Sequence, residues 1–314
     1  MFWRFDLRLA LLPAVLAAVG GGCAGREFDP YNRLNSLRVL AIKSDPVAPA
    51  PGETTTLSAL LYVPEGQSEP ELTWSWCPFP GSSDDGYACE VEEESLGELE
   101  QMMQLPPFEL GTGETVTFEN TLNPMIVQGV CRGSADAPAL PFCREGLPAQ
   151  IKLKVKTDQD EVIAVRKLNV RFDPEVGTNS NPVIDGVEAR IKGEWLTIDE
   201  AFDELLKRDQ RTELRANVTE EQAEQYESFD ADGELQTSRE RLTLTWFVES
   251  GHTKSERTGY IEDISPMDVL RENRWTPEPT KDYSPDTAEL VLVLRDSREG
   301  VAWHRVTVGL TESP

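Results

Sequence analysis

Histidine is nearly absent: His252 and His304 are the only two in 314 residues. No GxSxG, HExxH, P-loop, GxGxxG or CxxC pattern occurs in the chain. A Ser–His or Cys–His pair therefore has few candidates. The adjacent set Ser250-Gly251-His252 directly follows an alternating apolar run and reads as a turn. A zinc site lacks ligands at usable spacing. Positive charge is also scarce, with 30 Lys and Arg against 56 Asp and Glu and a net charge of −26. Such a body repels nucleic acid and anionic head groups, so no nucleic-acid partner is expected. No apolar run beyond residue 23 is long enough to span a bilayer. No DxDxDG loop is present, so neither a metal nor a cofactor is expected. The best cation candidate is the acidic stretch with Asp84, Asp85 and Glu90, for which a solvated charged loop is the simpler reading. Acidic pairs are so abundant that none singles out a glycosidase dyad.

The first 23 residues are different. Arg4 and Arg8 precede an 11-residue apolar run, Leu9–Val19, interrupted only by Pro13, and Gly20-Gly21-Gly22 leads into Cys23. This is the pattern of an export signal. Small residues directly before a cysteine resemble a bacterial lipoprotein signal, in which that Cys is lipidated and becomes the first mature residue. Gly21 and Gly22 fill the small positions, and Gly20 stands where Leu is usual. The resemblance implies a signal peptide over 1–22 and a lipid anchor at Cys23. Ala24, in place of an Asp, implies the outer membrane. The alternative is an ordinary cleaved signal peptide. The leader carries +1 (Arg4 and Arg8 against Asp6), which leaves about −27 on the rest.

Five cysteines become four once Cys23 is set aside: Cys77, Cys89, Cys131 and Cys143. An even number in an exported chain reads as two disulfides. Three connectivities are open, and the equal 12-residue spacings favour Cys77–Cys89 with Cys131–Cys143.

Residues 23–36 are polar and aperiodic, as in a flexible tether. A first body follows over 37–172. Leu57, Ala59, Leu61 and Val63 share one face, as do Leu72, Trp74 and Trp76, both with the period of a strand. A hairpin surrounds Thr157–Asp160. A linker composition over 173–182 separates this body from a second over 183–314. There Val187, Ala189 and Ile191 alternate, a capping-box-like Thr197–Glu200 predicts a short helix through Leu206, and Thr219–Ser228 predicts another. Leu242–Val248 is a strand, and a last hairpin turns at Asp296–Gly300.

The bodies repeat one another in order. Leu72-Thr73-Trp74 matches Leu244-Thr245-Trp246. Leu57-Ser58-Ala59 matches Leu214-Arg215-Ala216. The hairpin from Ala149 matches that from Ala288. Trp74 to Ala149 spans 75 residues and Trp246 to Ala288 spans 42, so the first body carries an insertion (about 78–147) that holds the four cysteines. The segments PAPGETTTLSALLYV and LTWSW resemble the tandem immunoglobulin-like modules of bacterial surface lipoproteins. The fold class expected is all-β: two tandem immunoglobulin-like β-sandwiches with a few short helices in the connections. Thr54–Val63 holds no Cys, so the usual cross-sheet disulfide cannot form.

Trp74 and Trp246 alternate inward and read as core. Tyr87, Trp275 and Tyr283 fall in loop-like sequence and are the candidates for an exposed aromatic contact. The function expected is non-catalytic binding, adhesion or assembly at the cell envelope, with an envelope protein or a glycan as partner. Alternatives are a structural subunit of a larger envelope complex and, from another class, a glycan-active hydrolase.

Overall fold

A computed structural model describes residues 30–78, 81, 84, 88–89, 97–98, 105–122, 146–175, 177–199, 202–229, 234–279 and 286–312. In the first body these form β1 (Arg38–Asp45), β2 (Thr54–Tyr62), β3 (Glu71–Cys77), β4 (Glu109–Thr112), β5 (Thr115–Glu119), β6 (Leu147–Lys156) and β7 (Glu161–Val170). The sheet β1-β2-β5 faces the sheet β4-β3-β6-β7. First, second and fifth strands on one layer, with third, sixth and seventh on the other, is the immunoglobulin arrangement. Leu57 of β2 and Phe118 of β5 meet Trp74, Trp76, Ile151 and Leu153 of the facing sheet in one buried cluster.

The second body repeats this order. Its strands are β8 (Val187–Ile191), β9 (Glu194–Thr197), β10 (Leu206–Lys207), β11 (Thr212–Ala216), β12 (Gln225–Phe229), β13 (Leu235–Arg239), β14 (Leu242–Val248), β15 (His252–Thr253), β16 (Arg257–Tyr260), β17 (Glu272–Thr276), β18 (Thr287–Arg295) and β19 (Val301–Thr311). A short helix α1 (Met267–Arg271) precedes β17. The sheets are β15-β17-β11-β8-β9 and β10-β19-β18-β14-β16. Removing β9, β10 and β15 leaves β8-β11-β17 over β16-β14-β18-β19, strand for strand the layout of the first body. The sequence repeats fall on equivalent strands: β3 with β14, β2 with β11, and β6–β7 with β18–β19.

Several expectations need correction. The stretch about 78–147 is not one insertion. It contains β4 and β5, and β5 pairs along β2 from Thr54↔Glu119 to Ser58↔Thr115, completing the first sheet. The additional length therefore falls into two excursions on either side of residues 105–122. The helix expected from Thr197 to Leu206 does not form. Ile198 instead donates its N–H to Val187 O (2.8 Å), and Leu206 enters the parallel bridge to β19. Thr219–Ser228 gives a single 3-10 turn, Glu220–Gln222, and then β12, which pairs with β13. The capping pairs Thr197 with Glu200 and Thr219 with Gln222 supplied the helical signal. Each segment is too short to repay helix nucleation, and neighbouring strand edges offer its backbone partners instead.

The expected tether ends early. Asn32 is 1% exposed. Its side-chain amide donates to Trp246 O (2.6 Å) and Thr253 Oγ1 (2.8 Å). Val248 N–H donates to Asn32 O (3.0 Å), and Leu34 N–H to Val248 O (2.9 Å). A polar segment with one leucine shows no period, so only the receiving strand end reveals that it docks.

Asn32–Pro314 form one compact body, because the two sandwiches share an interface. Leu40, Ala41 and Leu60 on the outer face of β1-β2 pack with Leu34 against Phe247, Val291, Val293 and Val301 on the outer face of β14-β18-β19. A bulge between Val39 and Ala41 leaves Leu40 unpaired in the β1–β2 register and places it and Ala41 in this contact. Polar groups close the rim. Arg295 Nη2 donates to Leu40 O (2.6 Å) and Arg305 Nη2 to Leu61 O (2.7 Å). Arg166 of β7, 8% exposed, donates to Ile42 O, to Ser44 Oγ (3.0 Å) and across the joint to Glu299 O. Burial pulls its pKa down to about 10, so it stays charged at neutral pH.

The connection 173–182 is held at the same joint. Asn181 donates to Ser44 O (2.8 Å) and accepts from Val301 N–H (2.9 Å), and Asn179 donates to Arg298 O (3.0 Å). Arg298 pairs with buried Glu240 at 3.4 Å and lies 4.7 Å from the Tyr226 ring centre. Burial, reinforced by the Asp296 charge, pushes the Glu240 carboxyl up to about 7. Burial likewise raises Asp296 and Glu299.

Two outcomes follow. Phe247→Ala removes the largest of the buried side chains in the shared interface. It should cost about 3–5 kcal/mol and split a single calorimetric unfolding transition into two. Glu240 binds a proton on folding that the unfolded chain has already released. Its contribution to stability therefore falls as pH rises from the ordinary 4.5 to about 7. Glu240→Gln should gain melting temperature relative to the parent progressively across that window, with no change in the difference below it, as measured by thermal denaturation at stepped pH.

Candidate functional site

The expected site residues do not converge. Cys77 and Cys89 form a disulfide with Cα atoms 5.8 Å apart, tying the end of β3 to the first excursion. Cys23, Cys131, Cys143, Asp85, Tyr87, Glu90 and Tyr283 lie outside the described residues. Asp84 is exposed. Among the described residues, no group of three or more His, Cys, Asp or Glu could hold a metal ion.

Trp275 is not a loop aromatic. It lies in β17, is 0% exposed, and donates its indole N–H to Ser250 O (2.7 Å). The sequence Glu272–Thr276 has only one apolar residue, so no alternation marks it as a strand. β15 and β11 on either side supply its pairing. Trp74 and Trp246 are buried, donating to Gly113 O (2.8 Å) and Thr258 Oγ1 (2.9 Å). Ser250 is buried and its hydroxyl accepts Glu278 N–H (3.1 Å). Gly251 has φ +74°, and a Cβ there would stand 1.9 Å from Thr276 O. This set is a packed turn beneath an exposed His252.

A different surface stands out: the outer face of β15-β17-β11-β8-β9. It begins with a two-residue hairpin. Lys192 (φ 52°) and Gly193 (φ 97°) both take the positive values that a type I′ turn requires. That turn sets the β8–β9 register, so Arg190 stands opposite Trp195 and Glu188 opposite Thr197. Inward Val187 and Ala189 are buried, which turns Glu188 and Arg190 outward. The same alternation turns Glu213 and Arg215 outward from β11, and Glu272 and Arg274 outward from β17.

The result is a checkerboard. One row across the strands reads Trp195, Arg190, Glu213, Arg274; Lys254, whose N–H donates to Arg274 O (2.8 Å), lies beyond it. The next row reads Thr197, Glu188, Arg215, Glu272. Arg190 meets Glu213 at 3.0 Å, and Arg274 approaches the other oxygen of Glu213 at 3.9 Å. Arg215 binds Glu188 at 2.7 Å. The half-buried Trp195 sits against this array, with the Arg215 guanidinium 4.4 Å and that of Arg190 5.9 Å from its ring centre.

Cross-strand pairs of opposite charge stabilise a sheet by about 0.2–1 kcal/mol each, which accounts for the ladder without any ligand. It does not account for the open groove of about 480 Å³ that Arg190, Trp195, Glu213, Lys254, Asp268 and Val269 border. Val269 is 51% exposed on its rim. Aromatic surface beside fixed, oriented donors and acceptors is the composition of a recognition site. None of these residues stands out in a search for catalytic motifs. The signal that finds them is the Lys-Gly turn, which fixes the register and so the face on which Trp195 emerges.

No protein-family model matches the chain, and no curated protein matches it. Solved structures that align over most of it include a chimeric titin Z1Z2 (10% identity, 89% of this chain and 99% of that one, TM-score 0.21). Two others are the three N-terminal domains of the outer capsid protein Hoc of bacteriophage RB49 (9% identity, 89% and 100%, TM-score 0.23) and the D00-D0 domain of intimin (6% identity, 88% and 99%, TM-score 0.21). At these TM-scores the alignments carry no argument about function. The immunoglobulin-like layout rests on the strand order of the two bodies.

Proposed function

We propose that this chain is a lipid-anchored protein of the bacterial cell envelope with a non-catalytic role in binding or assembly. The observation that carries the binding role is the outer face of β15-β17-β11-β8-β9, where a half-exposed tryptophan and paired charges border an open groove on a rigid sheet. The buried interface between the sandwiches supports the same role, because it holds that face in a fixed orientation to the first body. Binding surfaces work best on elements whose own geometry is locked. The anchor is the part of the proposal that rests on sequence, through the leader and Cys23. The outer membrane is the proposed address, by the resemblance of the leader and Ala24. The four remaining cysteines fit an exported chain, and Cys131–Cys143 is proposed as the second disulfide beside Cys77–Cys89.

Two measurements test this. Cys23→Ala should abolish incorporation of labelled palmitate and release the protein from the membrane fraction; label retained by the variant would remove the anchor. The intact protein, denatured without reductant, should take up no thiol-alkylating reagent. Uptake of two equivalents would show Cys131 and Cys143 unpaired.

A further inference from the structure

We propose that the outer face of β15-β17-β11-β8-β9 binds a neutral oligosaccharide, with Trp195 as its aromatic contact and the Arg190–Glu213–Arg274 row as its hydroxyl-reading array. This deepens the binding role proposed above and rests on it.

The charge pattern selects the ligand class. The chain as a whole carries −26. The face does not share this excess: Arg190, Arg215, Lys254 and Arg274 stand beside Glu188, Glu213, Asp268 and Glu272. An anionic ligand reaching this face crosses the repulsive field of the body. A charged ligand of either sign would also compete for groups already committed to one another. Breaking the Arg215–Glu188 pair (2.7 Å) leaves a partly desolvated charge without its counter-ion.

A sugar hydroxyl avoids that cost. It donates and accepts at once, so it can bridge a guanidinium and its carboxylate while leaving the pair intact. A guanidinium carries five N–H donors and a carboxylate about four lone-pair sites, so both retain hydrogen-bonding positions alongside these ion pairs. The exposed part of the Trp195 indole supplies an apolar surface for a ring's C–H face. Strands about 4.8 Å apart repeat donor and acceptor at intervals comparable with a pyranose ring. The groove, about 480 Å³, lies within the range of small-ligand sites. A row running across the strands from Trp195 to Arg274 therefore suits a linear chain of such rings.

The test uses the full-length protein in detergent and four uncharged probes: cellohexaose, maltohexaose, mannohexaose and N-acetylated chitohexaose. Calorimetry or affinity electrophoresis is expected to show binding of at least one, with an affinity unchanged between low and high salt. Trp195→Ala should weaken it at least tenfold while thermal unfolding stays cooperative. Arg274→Met provides a second variant, away from the hairpin, in case Trp195→Ala unsettles β9. Failure of all four probes to bind at millimolar concentration would overturn the inference. So would binding unaffected by both variants, or binding only of a charged probe such as polygalacturonate with quenching by salt. None of these failures touches the anchor, which palmitate labelling reads independently. Crosslinking in native envelopes would still report a protein partner, so failure of the glycan inference is distinguishable from failure of the binding role.

Discussion

The contact between the outer faces of β1-β2 and β14-β18-β19 is the constraint on which the rest depends. A β-sandwich normally buries one face of each sheet and leaves the other to water. Here two outer faces are apolar and cover each other. Leu40, Ala41 and Leu60 meet Phe247, Val291, Val293 and Val301, and Leu34 from the segment before β1 joins them. This contact makes one body of two repeats. It leaves the outer face of β15-β17-β11-β8-β9 as the counterpart surface of the second sandwich, on the side away from its β14-β18 sheet. One sheet of the second body is thus used for assembly and the other is available for recognition.

The joint also holds buried charge. Arg166 reaches from β7 to Glu299 O, and the turn between β18 and β19 is braced by Asp296, which accepts Arg298 N–H and Gly300 N–H at 2.7 Å each. Asn179 and Asn181 fasten the connection between the bodies to the same turn. Apolar contact supplies the attraction and these directional bonds select one orientation, a division of labour that lets a duplicated pair of sandwiches hold a single geometry. Glu240, buried beside Arg298, shows the cost of placing carboxylates there: its raised pKa means that burial disfavours its ionised form relative to water.

The repeated strand order separates what the two bodies share from what each has in addition. Both bodies have the same seven strands in the same layers. The first adds two excursions flanking β4 and β5, with Cys77–Cys89 stapling one of them. The second adds β9, β10, β15 and the β12–β13 hairpin. The charged face is partly built from these additions: β9 contributes Trp195, and Lys254 directly follows β15. The charged face thus lies partly on elements that the repeat does not require.

Much of the fold was legible from period-two alternation. Leu57-Ala59-Leu61, Leu72-Trp74-Trp76, Leu242–Val248 and both terminal hairpins read correctly because each carries an apolar face with a period of two. The doubled apolar runs Leu290–Leu294 and Trp246–Val248 carried a further message, burial on both faces, which alternation alone does not separate from a richer core. The proposed export and lipidation rest on the sequence of the leader, whose chemistry is local to 23 residues. What the tertiary structure decided is whatever depends on a neighbour. Trp275 is core because β11 and β15 flank it. Asn32 docks because β14 ends beside it. The paired charges become a surface only when three strands place Arg190, Glu213 and Arg274 in one row. Residues far apart in sequence come onto one surface through strand register, and register is set by turns and buried faces rather than by the charged residues themselves.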